Sequence, residues 1–258
     1  MKIVVKVGTS TLAHPTGMLN IRRVAELCRV LSDLKNAGHQ IILVSSGAIG
    51  MGIGKLSLPE RPHDIPTKQA AASVGQCELM YTYNKEFAEY NHTVAQILLT
   101  VLDIQDEQHR LNFQNTMNRL LQLGALPVIN ENDSVATEEL EIDNDTMGAL
   151  VAISVQADLL VLLSDIEGLY TADPHKDPKA QLIHDVLTLT PEIIALAGGE
   201  GSSLGTGGMA TKLKAASMVN AEGIDMIIAN GAKPELLYDI IDGKPVGTRF
   251  YGTSPTAV

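Results

Sequence analysis

The 258-residue chain has no tryptophan, three phenylalanines and six tyrosines. It therefore offers no platform on which successive nucleobases could stack. Basic residues are also scarce: 19 lysines and arginines against 30 aspartates and glutamates leave a net charge of -11. Nucleic-acid binding requires clustered positive charge, so that class of partner is excluded. A nucleotide ligand is not, because it requires only a local positive site. Cysteine appears twice, at Cys28 and Cys77, both within helix-like stretches. That number supports neither a disulfide framework nor a zinc site, and the expectation is two buried free thiols in a reducing compartment. The seven histidines are scattered without metal-ligand spacing, and His14, His63 and His175 read as loop residues, so no metal site is expected from protein side chains alone. No apolar run approaches the ~20 residues of a membrane helix, and the opening run is too short for a signal peptide. A soluble cytoplasmic protein with no membrane partner is expected.

What is present is a core. Hydrophobic residues make up 45% of the chain. Short β-branched runs at Ile3–Val7, Ile41–Val44, Val94–Leu99, Leu126–Ile129, Leu159–Leu163 and Ile224–Ala229 predict strands. Between them lie stretches with helical periodicity. Asn20 can cap a helix over Ile21–Ala37; further helices are predicted at Thr67–Tyr90, His109–Leu123, Thr146–Val155 and Met209–Ala221, with a short one after Pro234. The polar segment Asn130–Asp145 reads as loop, with room for a hairpin through Val135–Ile142. Continuous apolar strands alternating with helices predict a mostly parallel sheet covered on both faces. Ligands bind such sheets at the edge formed by the strand C-termini. No repeat or linker interrupts the chain, so residues 1–258 are expected to form one domain.

Five motifs fall where that edge should be. Lys6 stands inside the first strand, where a charge is costly unless paired. Gly8 follows it and permits close backbone approach; the alternative is an edge-strand lysine reaching solvent. Ser45–Gly52 is a small-residue turn that opens a helix and can form an oxyanion nest. It is neither a P-loop nor the glycine fingerprint of a dinucleotide-binding oxidoreductase. Asn130–Ser134 and Asp143-Asn144-Asp145 form two polar clusters suited to a cationic or zwitterionic group, although Asp145 could instead cap the next helix. Ser164-Asp165 leaves the most apolar strand. Gly205–Lys212 opens a helix whose first amides can face phosphate.

In this order the segments Val4–Ser10, Ser45–Gly52, Pro127–Ala136, Asp143–Asp145, Ser164–Pro174 and Gly205–Ala216 resemble the amino acid kinase family. The last three in series separate its glutamate-phosphorylating branch from aspartokinase, uridylate kinase and acetylglutamate kinase. The resemblance runs from Lys2 to about Phe250, in the form lacking the C-terminal PUA domain that many bacterial members carry. Ile142 departs from the glycine usual before the acidic triplet. The resemblance implies a three-layer αβα sandwich and ATP-dependent phosphorylation of the γ-carboxylate of L-glutamate, the first step towards proline. Another carboxylate or carbamate kinase, or a silent nucleotide sensor, are the competing expectations.

Carried over residue by residue, the resemblance implies that Lys6 and Lys212 meet the phosphates of ATP. Gly8, Ser164, Asp165, Thr206, Gly207, Gly208, Met209, Ala210 and Thr211 complete the nucleotide site, with Mg²⁺ accompanying ATP. Asp165 would orient the two lysines. Ser46, Gly47, Asp133, Asp143, Asn144 and Asp145 would hold glutamate. Feedback inhibition by proline and assembly as a homo-oligomer are implied as well.

Overall fold

A computed structural model describes residues 1–14, 18–135, 143–174, 176–197 and 208–253. In chain order its elements are β1 (Lys2–Val7), α1 (Thr9–Leu12), α2 (Ile21–Asn36), β2 (Gln40–Val44), α3 (Ala48–Lys55), α4 (Ile65–Ala88), β3 (Val94–Leu99), α5 (Val101–Gln105), α6 (Glu107–Gln122), β4 (Leu126–Glu131), α7 (Asn144–Ser154), β5 (Leu159–Ser164), β6 (Asp185–Val186), α8 (Pro191–Ala195), α9 (Met209–Ala221), β7 (Asp225–Asn230), α10 (Leu236–Ile241) and β8 (Thr248–Phe250). Among the described residues no helix is long and apolar enough to cross a membrane.

The strands form one sheet in the order β3-β4-β2-β1-β5-β7-β8-β6. The first six run parallel, and β8 returns antiparallel to β7. Alternation along each interior strand separates two cores. Ile3, Val5 and Val7 face Leu27, Leu31, Leu79 and Phe87 of α2 and α4. Val4, Ile42 and Leu160 face Met147, Val151, Leu213 and Val219 of α7 and α9. Helices thus cover both faces, as the alternating pattern predicts. β1 lies between β2 and β5, so Lys6 cannot be an edge-strand lysine.

Several local expectations are corrected. α4 starts two residues early because Asp64 caps it, accepting from Thr67 N at 2.9 Å, and Pro66 is tolerated in a first turn. β4 continues through Glu131, so Asn130 and Glu131 belong to a buried strand end rather than to a loop. α7 is capped by Asp143, not Asp145: the Asp143 carboxylate accepts from Thr146 N at 2.8 Å and from Thr146 Oγ1 at 2.6 Å. Cys28 is buried as expected, but Cys77 lies on the exposed face of α4. The hairpin through Val135–Ile142, Ile142 itself and His175 lie largely or wholly outside the described residues.

α3 and α4 cross at unusually short range. A Cβ built on Gly52 would stand 1.8 Å from Ala71 O, and one on Gly75 would stand 1.7 Å from Ala48 O. Neither backbone can yield without parting the helices. Gly75→Ala should therefore lower stability by about 1–3 kcal/mol or more, the range for overpacking. Gly54→Ala should be neutral or stabilising, because its Cβ would meet only Met18 Sδ at 3.6 Å and alanine favours helix. Urea unfolding of the two variants checks this pair of outcomes.

Candidate active site

The C-terminal ends of β4, β2, β1 and β5 open into a cleft of about 490 Å³. Each strand contributes its own residues to the lining. From β4 come Asn130 and Glu131, followed by Asp133; from β2, Ser46 and Gly47; from β1, Lys6, Gly8 and Thr9; from β5, Ser164 and Asp165. Three interstrand spacings separate β4 from β5, so the cleft is about 14 Å across.

At its centre lies one carboxylate holding two ammonium groups. Lys6 Nζ donates to Asp145 Oδ1 at 2.7 Å, and Lys212 Nζ donates to Asp145 Oδ2 at 3.1 Å. All three side chains are buried, with 8%, 6% and 1% exposure for Lys6, Lys212 and Asp145. Thr211 Oγ1 lies 2.8 Å from both Asp145 Oδ2 and Gly208 O, so its single proton goes to one or the other. Burial pushes the Asp145 carboxyl up, but the charges of Lys6 and Lys212 and the hydrogen bonds from Lys6 and Thr211 together outweigh it. Its pKa lies below the ordinary carboxylate range, and it stays anionic at neutral pH.

Local sequence explains how this cluster forms. With Asp143 as cap, Asp145 falls in the first turn of α7 and is released from the backbone. One turn later comes Gly148, where an added Cβ would stand 3.4 Å from Lys6 Cβ. α7 thus lies directly on β1, within van der Waals reach of Lys6. Lys212 arrives from the first turn of α9, which Gly208 opens. Nζ of Lys6 lies over Gly8, 3.6 Å from where a Cβ would be.

On the β2 and β4 side, Gly47 has φ +98°, a conformation that favours glycine, and precedes α3. Gly47, Ala48, Ile49 and Gly50 line the cleft, and the first amides of a helix have no partner within it. Ser46 Oγ and Asn144 Oδ1 are buried without a hydrogen-bond partner among the described residues. A buried hydroxyl and a buried carbonyl of this kind suit a polar ligand. Asn130 is fixed on both sides: its amide donates to Gln76 Oε1 at 2.9 Å, and its carbonyl accepts from Glu131 N at 2.9 Å.

The fold thus brings Lys6, Gly8, Ser46, Gly47, Asp133, Asp143, Asn144, Asp145, Ser164, Asp165 and Lys212 to one cleft. Gly208, Met209, Ala210 and Thr211 form the cap and first turn of α9. Thr206 and Gly207 lie outside the described residues. Two residues gain contacts beyond those expected of them. The Asp145 carboxylate, expected in the acceptor pocket, also bridges both lysines, beside which the resemblance placed Asp165. Thr211, expected on the nucleotide, also contacts that carboxylate. Both contacts follow from the cap at Asp143, which turns Asp145 inward. Arg61 and Lys68 line the cleft without having been expected there, whereas Asn130 and Glu131 belong to the polar cluster read after the Leu126–Ile129 run, and Gln76 supports the site from α4. The signal for Lys68 is weak: a cation in the first turn of a helix, against the dipole.

Comparison with known proteins agrees with this architecture. The sequence pattern of the amino acid kinase family matches residues 1–230. A glutamate 5-kinase of Clostridium tetani is 55% identical over 249 residues, covering 96% of this chain and 93% of the relative. Glutamate 5-kinases of Clostridium acetobutylicum and Listeria monocytogenes are each 52% identical, covering 96% of this chain and 94% and 92% of theirs. Among solved structures, a Giardia lamblia carbamate kinase bound to AMP-PNP superposes with a TM-score of 0.70 at 16% identity, over 98% of both chains. A T. acidophilum isopentenyl phosphate kinase in its product complex gives 0.66 at 17% identity, over 96% of this chain and 99% of that one. These two share the fold; the sequence match extends over most of the chain, and the chain belongs to the amino acid kinase family.

Proposed function

We propose that this chain transfers the γ-phosphoryl group of ATP to the side-chain carboxylate of L-glutamate. The products are ADP and L-glutamyl 5-phosphate, and the reaction is the first step towards proline. The observation that carries this is the pair of buried ammonium groups on one carboxylate, set between a polar acceptor end and a nucleotide end. The relatives at 52–55% identity carry the same activity in their names.

The acceptor needs no general base, because a free glutamate side chain ionises near ~4.3 and is already a nucleophile. The difficulty is bringing an anion up to a phosphoryl group that is itself gaining negative charge. Lys6 and Lys212 supply positive charge on that group, and Asp145 fixes where both ammonium groups sit. Asp145 is a positioning residue. The first amides of α3 and Ser46 align the incoming carboxylate; Asp133, Asp143 and Asn144 take the α-ammonium group. Mg²⁺ is usually held by one or two carboxylates together with substrate phosphates. Asp165, exposed at the β5 end, suits that arrangement, and the ion would shield charge on the phosphates. Proline shares an α-carboxylate and a cationic nitrogen with glutamate and would compete for the same acceptor end.

Lys212→Ala should lower kcat by roughly a hundredfold, the scale for losing one preorganised electrostatic partner. Asp133→Ala should mainly raise the KM for glutamate. Steady-state kinetics with glutamate and ATP varied separately, on variants shown folded by circular dichroism, test this. If Lys212→Ala kept full turnover, or Asp133→Ala changed only the KM for ATP, the two ends would be wrongly placed.

N-Acetylglutamate lacks the ammonium cation and would leave Asp133 and Asp143 facing a neutral amide. Its kcat/KM should fall well below that of glutamate, by roughly tenfold or more. ADP release with glutamate, N-acetylglutamate, aspartate and carbamate compared side by side decides. Equal turnover of the first two would overturn the substrate assignment.

A further inference from the structure

We infer that Lys68 receives the α-carboxylate of the acceptor and thereby makes the site selective for a free α-acid over its amide. This rests on the glutamate reading above and deepens it. Four cationic side chains line the cleft: Lys6, Lys212, Arg61 and Lys68. The first two meet at Asp145, where the phosphoryl group is transferred. Glutamate has a second carboxylate, at the end away from the reaction. That end carries Glu131 and Asp133, both acidic, and Asp143 lines the same cleft. An α-carboxylate placed there without a cation would be repelled by them.

The fold delivers Lys68 to this end. It stands in the first turn of α4, and Ala72 and Gln76 follow at the i+4 and i+8 positions, on the same helix face. Ala72 and Gln76 are buried, and Gln76 holds Asn130 at the end of β4. The face that bears Lys68 therefore turns towards the end of β4. A second tie runs from Ser73 Oγ to Ser134 Oγ at 2.9 Å, fixing α4 to the turn that carries Asp133. Lys68 is half-buried, whereas Arg61 is exposed. Charge on the less solvated group is less screened, which selects Lys68 over Arg61. The helix itself gains nothing from an ammonium group in its first turn, where the dipole favours anions.

The discriminating probe is isoglutamine, the α-amide of glutamate, which keeps both the γ-carboxylate and the ammonium group. The purified chain and its Lys68→Met, Lys68→Arg and Arg61→Met variants would be assayed by ADP release with each substrate. The unmodified chain should prefer glutamate over isoglutamine by roughly ten- to a hundredfold in kcat/KM, the scale for meeting or leaving unmet a charged group. Lys68→Met should raise the KM for glutamate by a similar factor, lower kcat much less, and bring the two substrates close to parity. Lys68→Arg should keep part of the preference, and Arg61→Met most of it. A merely structural lysine would weaken both substrates alike and leave their ratio intact. An unchanged ratio in folded Lys68→Met, or loss of the ratio only in Arg61→Met, overturns the inference while leaving the kinase reading standing. An unmodified chain that turned over neither substrate would overturn both.

Discussion

Everything at the centre of this molecule depends on one carboxylate shared by two buried ammonium groups. Asp145 gathers side chains from β1, α7 and α9, elements far apart in sequence, and leaves the three-residue cluster with a net positive charge. Removing these groups from water costs several kcal/mol per ion, and pairing inside the protein offsets this only in part. Apolar residues of similar volume would hold the three elements together at least as well. The cluster is therefore poor evidence of stability and good evidence of a site that needs fixed positive charge. Its demands spread outward, first to a cap at Asp143 that lets Asp145 turn inward.

The sheet order then distributes the chemistry. β1 sits between β2 and β5, and the path from one side of it to the other passes through α7. Residues after β2 and β4 form one end of the cleft, and residues after β5 with the start of α9 form the other. The ammonium pair stands between. The tight crossing of α3 and α4 stiffens the first end, because Gly52 and Gly75 leave the two backbones almost in contact. Through Gln76 and Ser73 that same helix holds the end of β4 and the turn beyond it. A rigid end suits the positioning of an acceptor whose nucleophile needs no activation, only aim.

Much of this was legible in the sequence, for identifiable reasons. Runs such as Leu159–Leu163 are apolar without alternation, which marks strands buried on both faces, and polar motifs directly after them mark the ligand edge. Lys6 was legible because a charge in such a run requires a partner. The partner itself was not. Asp165 leaves an apolar strand and Asp145 stands at the start of a helix, and either could approach two lysines; the cap at α7 is what turns Asp145 onto them, and Asp143 and Asp145 are equally good caps by residue type. Lys68 was hidden for a related reason. Periodicity shows which face of α4 is buried, not that this face lies against the end of β4. The reversal at β8 and the exposure of Cys77 likewise depend on packing partners that a one-dimensional pattern does not name.

An acidic protein that handles anions needs its local field to oppose its net charge of -11. Screening makes this possible, since at physiological salt exposed charges more than ~8 Å apart scarcely interact. Within the cleft the four cations therefore matter more than the distant surface. The cleft is not uniformly positive, however. Glu131 and Asp133 at the β4 end would repel polyphosphate, and the ammonium pair would attract it. In the proposed reading a nucleotide is driven to the β5 end, and a small zwitterion enters the β4 end with its ammonium group towards the carboxylates. The γ-carboxylate of glutamate would then point to Lys6 and Lys212, and its α-carboxylate would stay at the β4 end beside Lys68. In that reading the two ends of the cleft together fix the acceptor's orientation, because the reversed pose would set the ammonium group against two lysines.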